Sequence, residues 1–171
     1  MAKIKFAFDR KKAIEVILYL IPRIKNADIY GLCKLLYLVD KTSLEKYGRF
    51  LFGETYCAMK EGPTPSYTYD LLKGVAEMQS EDFFVQGNQV IARRAYDPAW
   101  LSKSDIECLD EIINIYGNVP NWKRRADTHD EAWEKNWNKR GEKRSVTIPV
   151  EDIVEILEDP EELLAHLKHD D

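Results

Sequence analysis

Residues 28–48 read Asp-Ile-Tyr-Gly-Leu-Cys-Lys-Leu-Leu-Tyr-Leu-Val-Asp-Lys-Thr-Ser-Leu-Glu-Lys-Tyr-Gly, and no other stretch constrains the fold as strongly. Ile29, Leu32, Leu35, Leu36 and Val39 recur at the three- and four-residue spacing that lines one face of a helix. Asp28 offers a carboxylate to the first free amides, and Gly48 can take the left-handed conformation that ends a helix. The spacing predicts a long helix with its apolar face in the core. Every other element must be laid against it.

The flanking sequence supplies mostly further helices. Ala13, Val16, Ile17, Leu20, Ile21 and Ile24 repeat the helical spacing, and Pro22, which lacks an amide donor, should kink or end that helix near Leu20. Thr64-Pro65 reads as an N-cap and first-turn proline ahead of Tyr67, Leu71, Val75 and Met78 on one side of a helix. Ser102 and Asp105 have capping-box spacing before Ile106, Leu109, Ile113 and Tyr116, with Gly117 as the stop. Pro149 opens a helix carrying Ile153, Ile156 and Leu157. Asp159-Pro160-Glu161-Glu162 begins a last one with Leu163, Leu164 and Leu167. Strand signals are fewer: residues 55–59, and residues 84–86 and 89–91 flanking Gly87-Asn88 as a two-residue hairpin. The expected fold is mainly α with a small antiparallel β element (α+β), in a single compact domain.

Length and composition, 171 residues with 44% hydrophobic and 32% charged side chains, are those of one soluble globular domain with a real core. No apolar run approaches the roughly 20 residues of a membrane helix, and Met-Ala-Lys-Ile-Lys-Phe at the start has no secretory-signal pattern. A cytoplasmic protein is expected. Cys33, Cys57 and Cys108 are odd in number and far apart, which fits reduced, buried thiols rather than disulfides or a zinc site. The net charge of −5 is unevenly spread: nine acids from Glu151 onward against Lys168 alone give −8, leaving +3 for the rest. The positive charge gathers in Lys123-Arg124-Arg125 and in Lys139, Arg140, Lys143 and Arg144. Asp127, Asp130, Glu131 and Glu134 interrupt it, so it is expected to face the acidic C-terminal helices of the same chain or an acidic partner ahead of nucleic acid.

Residues with catalytic potential are sparse. His129 lies between Asp127 and Asp130, the company a general base keeps. Thr128 and Glu131 also have capping-box spacing, which makes His129 and Asp130 the first turn of a helix, with the acids at its positive end. His166 and His169 read as part of a solvated tail, and Asp40 and Asp70 as caps or surface acids. No nucleophile elbow or phosphate-binding glycine loop is present. No catalytic residue, cofactor or metal is expected. Glu61-Gly62-Pro63-Thr64-Pro65 is a sharper local signal: two prolines two apart, with a glycine before the first, fix the backbone ahead of the next helix. It reads either as a rigid turn or as a preorganised loop that presents Tyr67, Tyr69 and their neighbours to a partner.

Several short motifs follow one another along residues 9–157: Cys33-Lys34-Leu35-Leu36-Tyr37, Tyr47-Gly48, Tyr56-Cys57-Ala58, Gly62-Pro63, Leu101-Ser102, Tyr116-Gly117 and Thr128-His129-Asp130-Glu131-Ala132-Trp133. In this order they resemble the Panacea domain, the family of SocA-like antitoxins and phage-associated GepA-like proteins. Cys33 stands where the pattern has a polar residue, and Ala132 where it has proline. The motif residues that carry over are Lys34, Leu35, Tyr37, Thr128, His129 and Trp133. On this resemblance residues 1–158 form the Panacea domain and residues 159–171 an acidic C-terminal helix or tail. The resemblance implies a cytoplasmic, non-enzymatic antitoxin of type II character. It would neutralise a protein toxin encoded in the neighbouring gene by direct contact, with Gly62, Pro63, Tyr67, Tyr69 and Asp70 as the toxin-binding residues. One branch of the family hands its toxin to a protease, which makes a cellular protease a second implied partner. Two other readings stand beside it: a small hydrolase or nucleic-acid-processing enzyme using His129 with Asp127 and Asp130, and a DNA-binding autoregulator using the basic clusters.

Overall fold

The computed structural model of the chain describes residues 3–78 and 80–169. α1 (Arg10–Leu20) begins at Asp9, whose carboxylate accepts from the Lys12 amide, and at Pro22 it tightens into a 3-10 turn over Ile21–Arg23. α2 (Ile29–Tyr47) lies between the expected caps. Asp28 Oδ1 accepts from the Gly31 amide at 2.7 Å, and Gly48 closes the helix at φ 69°. From Gly31 to Asp40 every residue of α2 is buried, as happens when a helix is covered all round.

Two core clusters explain that burial. Leu32, Leu35, Leu36 and Val39 pack with α1, α3 (Ser66–Met78), α4 (Lys103–Tyr116) and the hairpin of β3 (Phe83–Gln86) and β4 (Gln89–Ala92). On the other side Tyr37 and Leu44 pack with Tyr56, Ala58, Ala132, Ile148, Ile153 and Val154. α5 (Asn121–Thr128) crosses near the start of α2, followed by α6 (Glu131–Lys139), α7 (Val150–Val154) and α8 (Pro160–His169), which buries Leu167 in the second cluster. The mainly α fold with a small antiparallel sheet, in one compact domain, is the fold observed. No helix among the described residues is long and apolar enough to cross a membrane.

β1 (Tyr56–Met59) pairs antiparallel with β2 (Gly62–Pro65), leaving Lys60 and Glu61 as the turn, and β5 (Val146–Thr147) adds to the other side of β1. The β3–β4 hairpin turns at Gly87-Asn88 as expected, with Gln86 opposite Gln89. Thr64-Pro65, however, is not a helix start. Both residues belong to β2, and α3 begins at Ser66. β2 is an edge strand, and Ser66 N donates to Thr55 O, so residues 62, 64 and 66 address β1 with their backbone groups. The amides missing from Pro63 and Pro65 would point to the open edge, where they are not needed.

The cap of α3 comes from a distant position instead. The Glu54 carboxylate is buried and accepts from the Tyr67 and Thr68 amides and from the Thr68 hydroxyl. That phase turns Leu72 and Val75 inward and leaves Tyr67, expected on the inner face, 50% exposed beside the Phe8 ring. The side chain of Met78, placed on the same face by the sequence pattern, lies outside the described residues.

Candidate functional site

The family-motif residues of α2 and of the α5–α6 junction meet at one object, the β1–β2 hairpin. Three alternate carbonyls along its turn each receive a side-chain donor. Trp133 Nε1 donates to Met59 O at 2.8 Å, His129 Nε2 to Glu61 O at 3.0 Å, and Lys34 Nζ to Pro63 O at 3.2 Å. A carbonyl only accepts, so His129 carries its proton on Nε2 in this arrangement. The His129 and Trp133 rings stack at 4.1 Å, and Arg125 Nε binds the Glu61 carboxylate at 2.8 Å. Motifs nearly a hundred residues apart therefore grip the same two strands from one side.

Tyr37 and Asp130 lock the two grips together. The Tyr37 hydroxyl donates to Asp130 Oδ2 at 2.6 Å, and Lys41 Nζ reaches the same oxygen at 3.0 Å. Asp130 Oδ1 accepts from the Trp133 amide, which makes Asp130 the N-cap of α6. The capping box expected at Thr128 and Glu131 is thus not formed; the N-cap lies two residues on, at Asp130, and Glu131 is the first residue of α6. Thr128 is the last residue of α5 and is fully buried, with its hydroxyl donating to Arg125 O. Ala132, where the family pattern has proline, lies in the first turn of α6, where an amide has no helical partner and either residue fits. Leu35 faces the first core cluster and supports the grip only through packing.

Lys34 is the unusual member of the set. It is 1% exposed and lines a cavity of about 160 Å³ with Tyr30, Cys33, Met59, Lys60, Glu61, Thr64 and Tyr69. Burial pulls its ammonium down to about 8 from the usual 10.5. Burial also lowers the His129 imidazole and drives the Cys33 thiol up to about 12, which keeps that thiol protonated. Gly62 is demanded at the centre of this arrangement. Its φ is 120°, and a Cβ there would lie 2.8 Å from Lys34 Nζ and 3.0 Å from the His129 ring.

Of the residues expected to meet a partner, Gly62 and Pro63 are buried in β2. Tyr67 and Asp70 are exposed on α3, and Tyr69 is half-buried over the cavity. The stretch from Gly62 to Pro65 is a strand rather than a loop, so it shapes the surface from beneath. The general-base grouping is not assembled: Asp127 binds Tyr116 and Lys123, Asp130 is engaged as described, and His129 contacts a carbonyl. Among the described residues no cluster of three or more His, Cys, Asp or Glu is placed to hold a metal ion. Asp40, expected as a cap or surface acid, is buried and accepts from Leu51 N and the Tyr56 hydroxyl.

The basic clusters divide in the folded chain. Arg124 is fully buried and donates to Tyr116 O, Lys25 O and Gly117 O, so it plugs the junction of α4, α5 and the segment before α2 instead of facing outward. Lys139, Lys143 and Arg144 are exposed, and Arg140 lies over the Trp137 ring. Cys33 and Cys108 are buried free thiols, while Cys57 is only half-buried. Tyr30 and Arg125 are members of the site that the motifs do not contain. Tyr30 has a spacing signal, one helical turn before Lys34, and its ring lies 5.0 Å from Lys34 Nζ. Arg125 has none.

No curated protein and no solved structure matches the chain significantly. Residues 32–134 match the family described as "Antitoxin SocA-like, Panacea domain", and that span, more than half of the chain, holds the hairpin with Lys34, Arg125, His129 and Trp133, while Tyr30, whose hydroxyl donates to Glu61 O at 3.4 Å, lies just before it. The chain belongs to the family of SocA-like antitoxins that carry the Panacea domain.

Proposed function

We propose that the protein is an antitoxin that neutralises a protein toxin, encoded beside it, by direct and stable contact. The observation that carries this reading is the family match over residues 32–134. What supports contact rather than chemistry is the use of the polar motif side chains: Lys34, His129 and Trp133 donate to carbonyls of the hairpin, and Tyr37 and Asp130 tie those donors' helices together. A surface fixed beforehand loses less entropy on association. The exposed Tyr67 and the half-buried Tyr69 stand just beyond β2, and tyrosines are frequent interface anchors. In this reading the protein needs no cofactor, acts in the cytoplasm, and has the toxin as its principal partner. Handing the toxin to a cellular protease is a further step for which the structure offers no separate feature.

Co-expression with the neighbouring gene tests the proposal. The neighbour's product should arrest growth alone, be tolerated with this chain, and co-purify with it. Replacing Tyr67 or Tyr69 by alanine should weaken the complex while thermal melting shows the fold retained; a tyrosine hot spot is worth about 2 kcal/mol or more. Growth rescue without any complex would overturn direct neutralisation.

A further inference from the structure

We propose that the cavity between α2 and the β1–β2 hairpin is a socket for an acidic side chain of the partner protein, with Lys34 as the group that receives its carboxylate. The inference rests on the toxin-binding reading above and names what the partner must present.

Lys34 is the reason. Its ammonium has three donors, and among the described residues its one hydrogen bond is to a neutral acceptor, Pro63 O at 3.2 Å. No carboxylate among the described residues forms an ion pair with it, although it is 1% exposed. The titratable groups nearest to it are Cys33, Glu61, Arg125 and His129, with Lys60 on the cavity wall. The only anion among them, Glu61, is turned to Arg125 at 2.8 Å. A buried ammonium without a counter-ion is costly, and packing does not require one here, because an apolar side chain of equal length would fill the same path. The arrangement is explained if the missing counter-ion arrives from outside.

Size and walls define what arrives. At about 160 Å³ the cavity is smaller than the roughly 300–1,000 Å³ of small-ligand pockets, which suits one inserted side chain better than a free metabolite. Tyr30, Tyr69, Met59 and the Cys33 thiol make the walls largely apolar, so the methylene stem of a glutamate or aspartate would be covered there. An apolar side chain would leave the ammonium uncompensated, and a basic one would be repelled by Lys34 and Lys60. A carboxylate alone satisfies both walls and charge, through short charge-assisted hydrogen bonds. The hairpin carbonyls held by His129 and Trp133 fix the second wall against α2, so the socket is preformed.

Two measurements decide it. The full chain is titrated with N-acetylglutamate N-methylamide while the Lys34 side chain and the Tyr30 and Tyr69 rings are followed by NMR. Saturable shifts are expected at all three, with the Lys34 amine titrating at least one pH unit higher in the bound state. N-acetylglutamine N-methylamide should produce none, and Lys34→Met should abolish the response. No saturable shift, an equal response to the glutamine analogue, or tighter binding of a peptide whose only carboxylate is its C-terminus would overturn the proposal. In co-expression, Lys34→Met should remain folded by thermal melting yet neutralise at least tenfold less well; a folded Lys34→Met protein that neutralises normally would also overturn it. If the parent chain itself neutralises nothing, the antitoxin reading falls, and the titration still decides the socket.

Discussion

Asp40 shows how a buried acid in this core couples folding to pH. Burial raises its carboxyl from the usual 3.8 to about 7, against the opposing pull of hydrogen bonds from Leu51 N and the Tyr56 hydroxyl. A folded-state value above the unfolded one means that its contribution is present in full below about 3.8 and is lost as pH rises through about 7. Asp40→Asn removes that titration. The unfolding free energy of the variant relative to the parent should therefore climb between pH 4 and pH 7, by on the order of 4 kcal/mol for the full shift, and level off above. Urea melts at closely spaced pH values read this directly, and a difference that stays flat would show that Asp40 is ionised throughout. The carboxyl looked like a cap or a surface acid in sequence because it closes the apolar run of α2. Leu51 and Tyr56 come from the segments that follow α2, and their proximity is a tertiary fact.

Elements built from local signals behaved as their residues predict. The Asp28 cap and Gly48 stop of α2, the Ser102–Asp105 capping box of α4, the break of α1 at Pro22 and the Gly87-Asn88 hairpin all depend on atoms within a few residues of each other. Structure departs from local spacing where a distant group outcompetes a local one. Glu54 caps α3 in place of Thr64, and Asp130, held by Tyr37 and Lys41, caps α6 in place of Thr128. The β1–β2 hairpin is the element on which the candidate site depends, and Gly62 is its most exacting position. Gly62→Val would meet both a positive φ and contacts of 2.8–3.0 Å with Lys34 and His129. A cost of about 1–3 kcal/mol from backbone strain alone is expected. Thermal melting should show it, together with weaker neutralisation and altered fluorescence of Trp133, whose indole is bonded to Met59 O. Unchanged melting and neutralisation would mean that the hairpin moves freely and that the grip is unimportant.

For the molecule as a whole, the acidic C-terminal segment asks where the domain ends. A boundary after residue 158 is the division we propose for function, yet α8 sets Leu167 into the second core cluster with Leu163 and Leu164 beside it. Deleting residues 159–171 should cost about 1.5–3 kcal/mol from the lost burial of Leu167, lowering the melting temperature by about 5 °C, while neutralisation persists. A deletion that unfolds the chain would make α8 an integral part of the domain. By itself the sequence determined the helices with local caps, the mainly α class and the family, because periodicity and capping act over a few residues and motif order survives along the chain. Only the tertiary structure decided that α2 is buried on all sides, that Arg124 is an interior plug, and that Asp127, His129 and Asp130 do not assemble. It also decided that the two motifs converge on one hairpin above an ammonium with no counter-ion among the described residues. Those outcomes depend on which surfaces meet when about a hundred residues of intervening chain close up, and no local spacing encodes such a meeting.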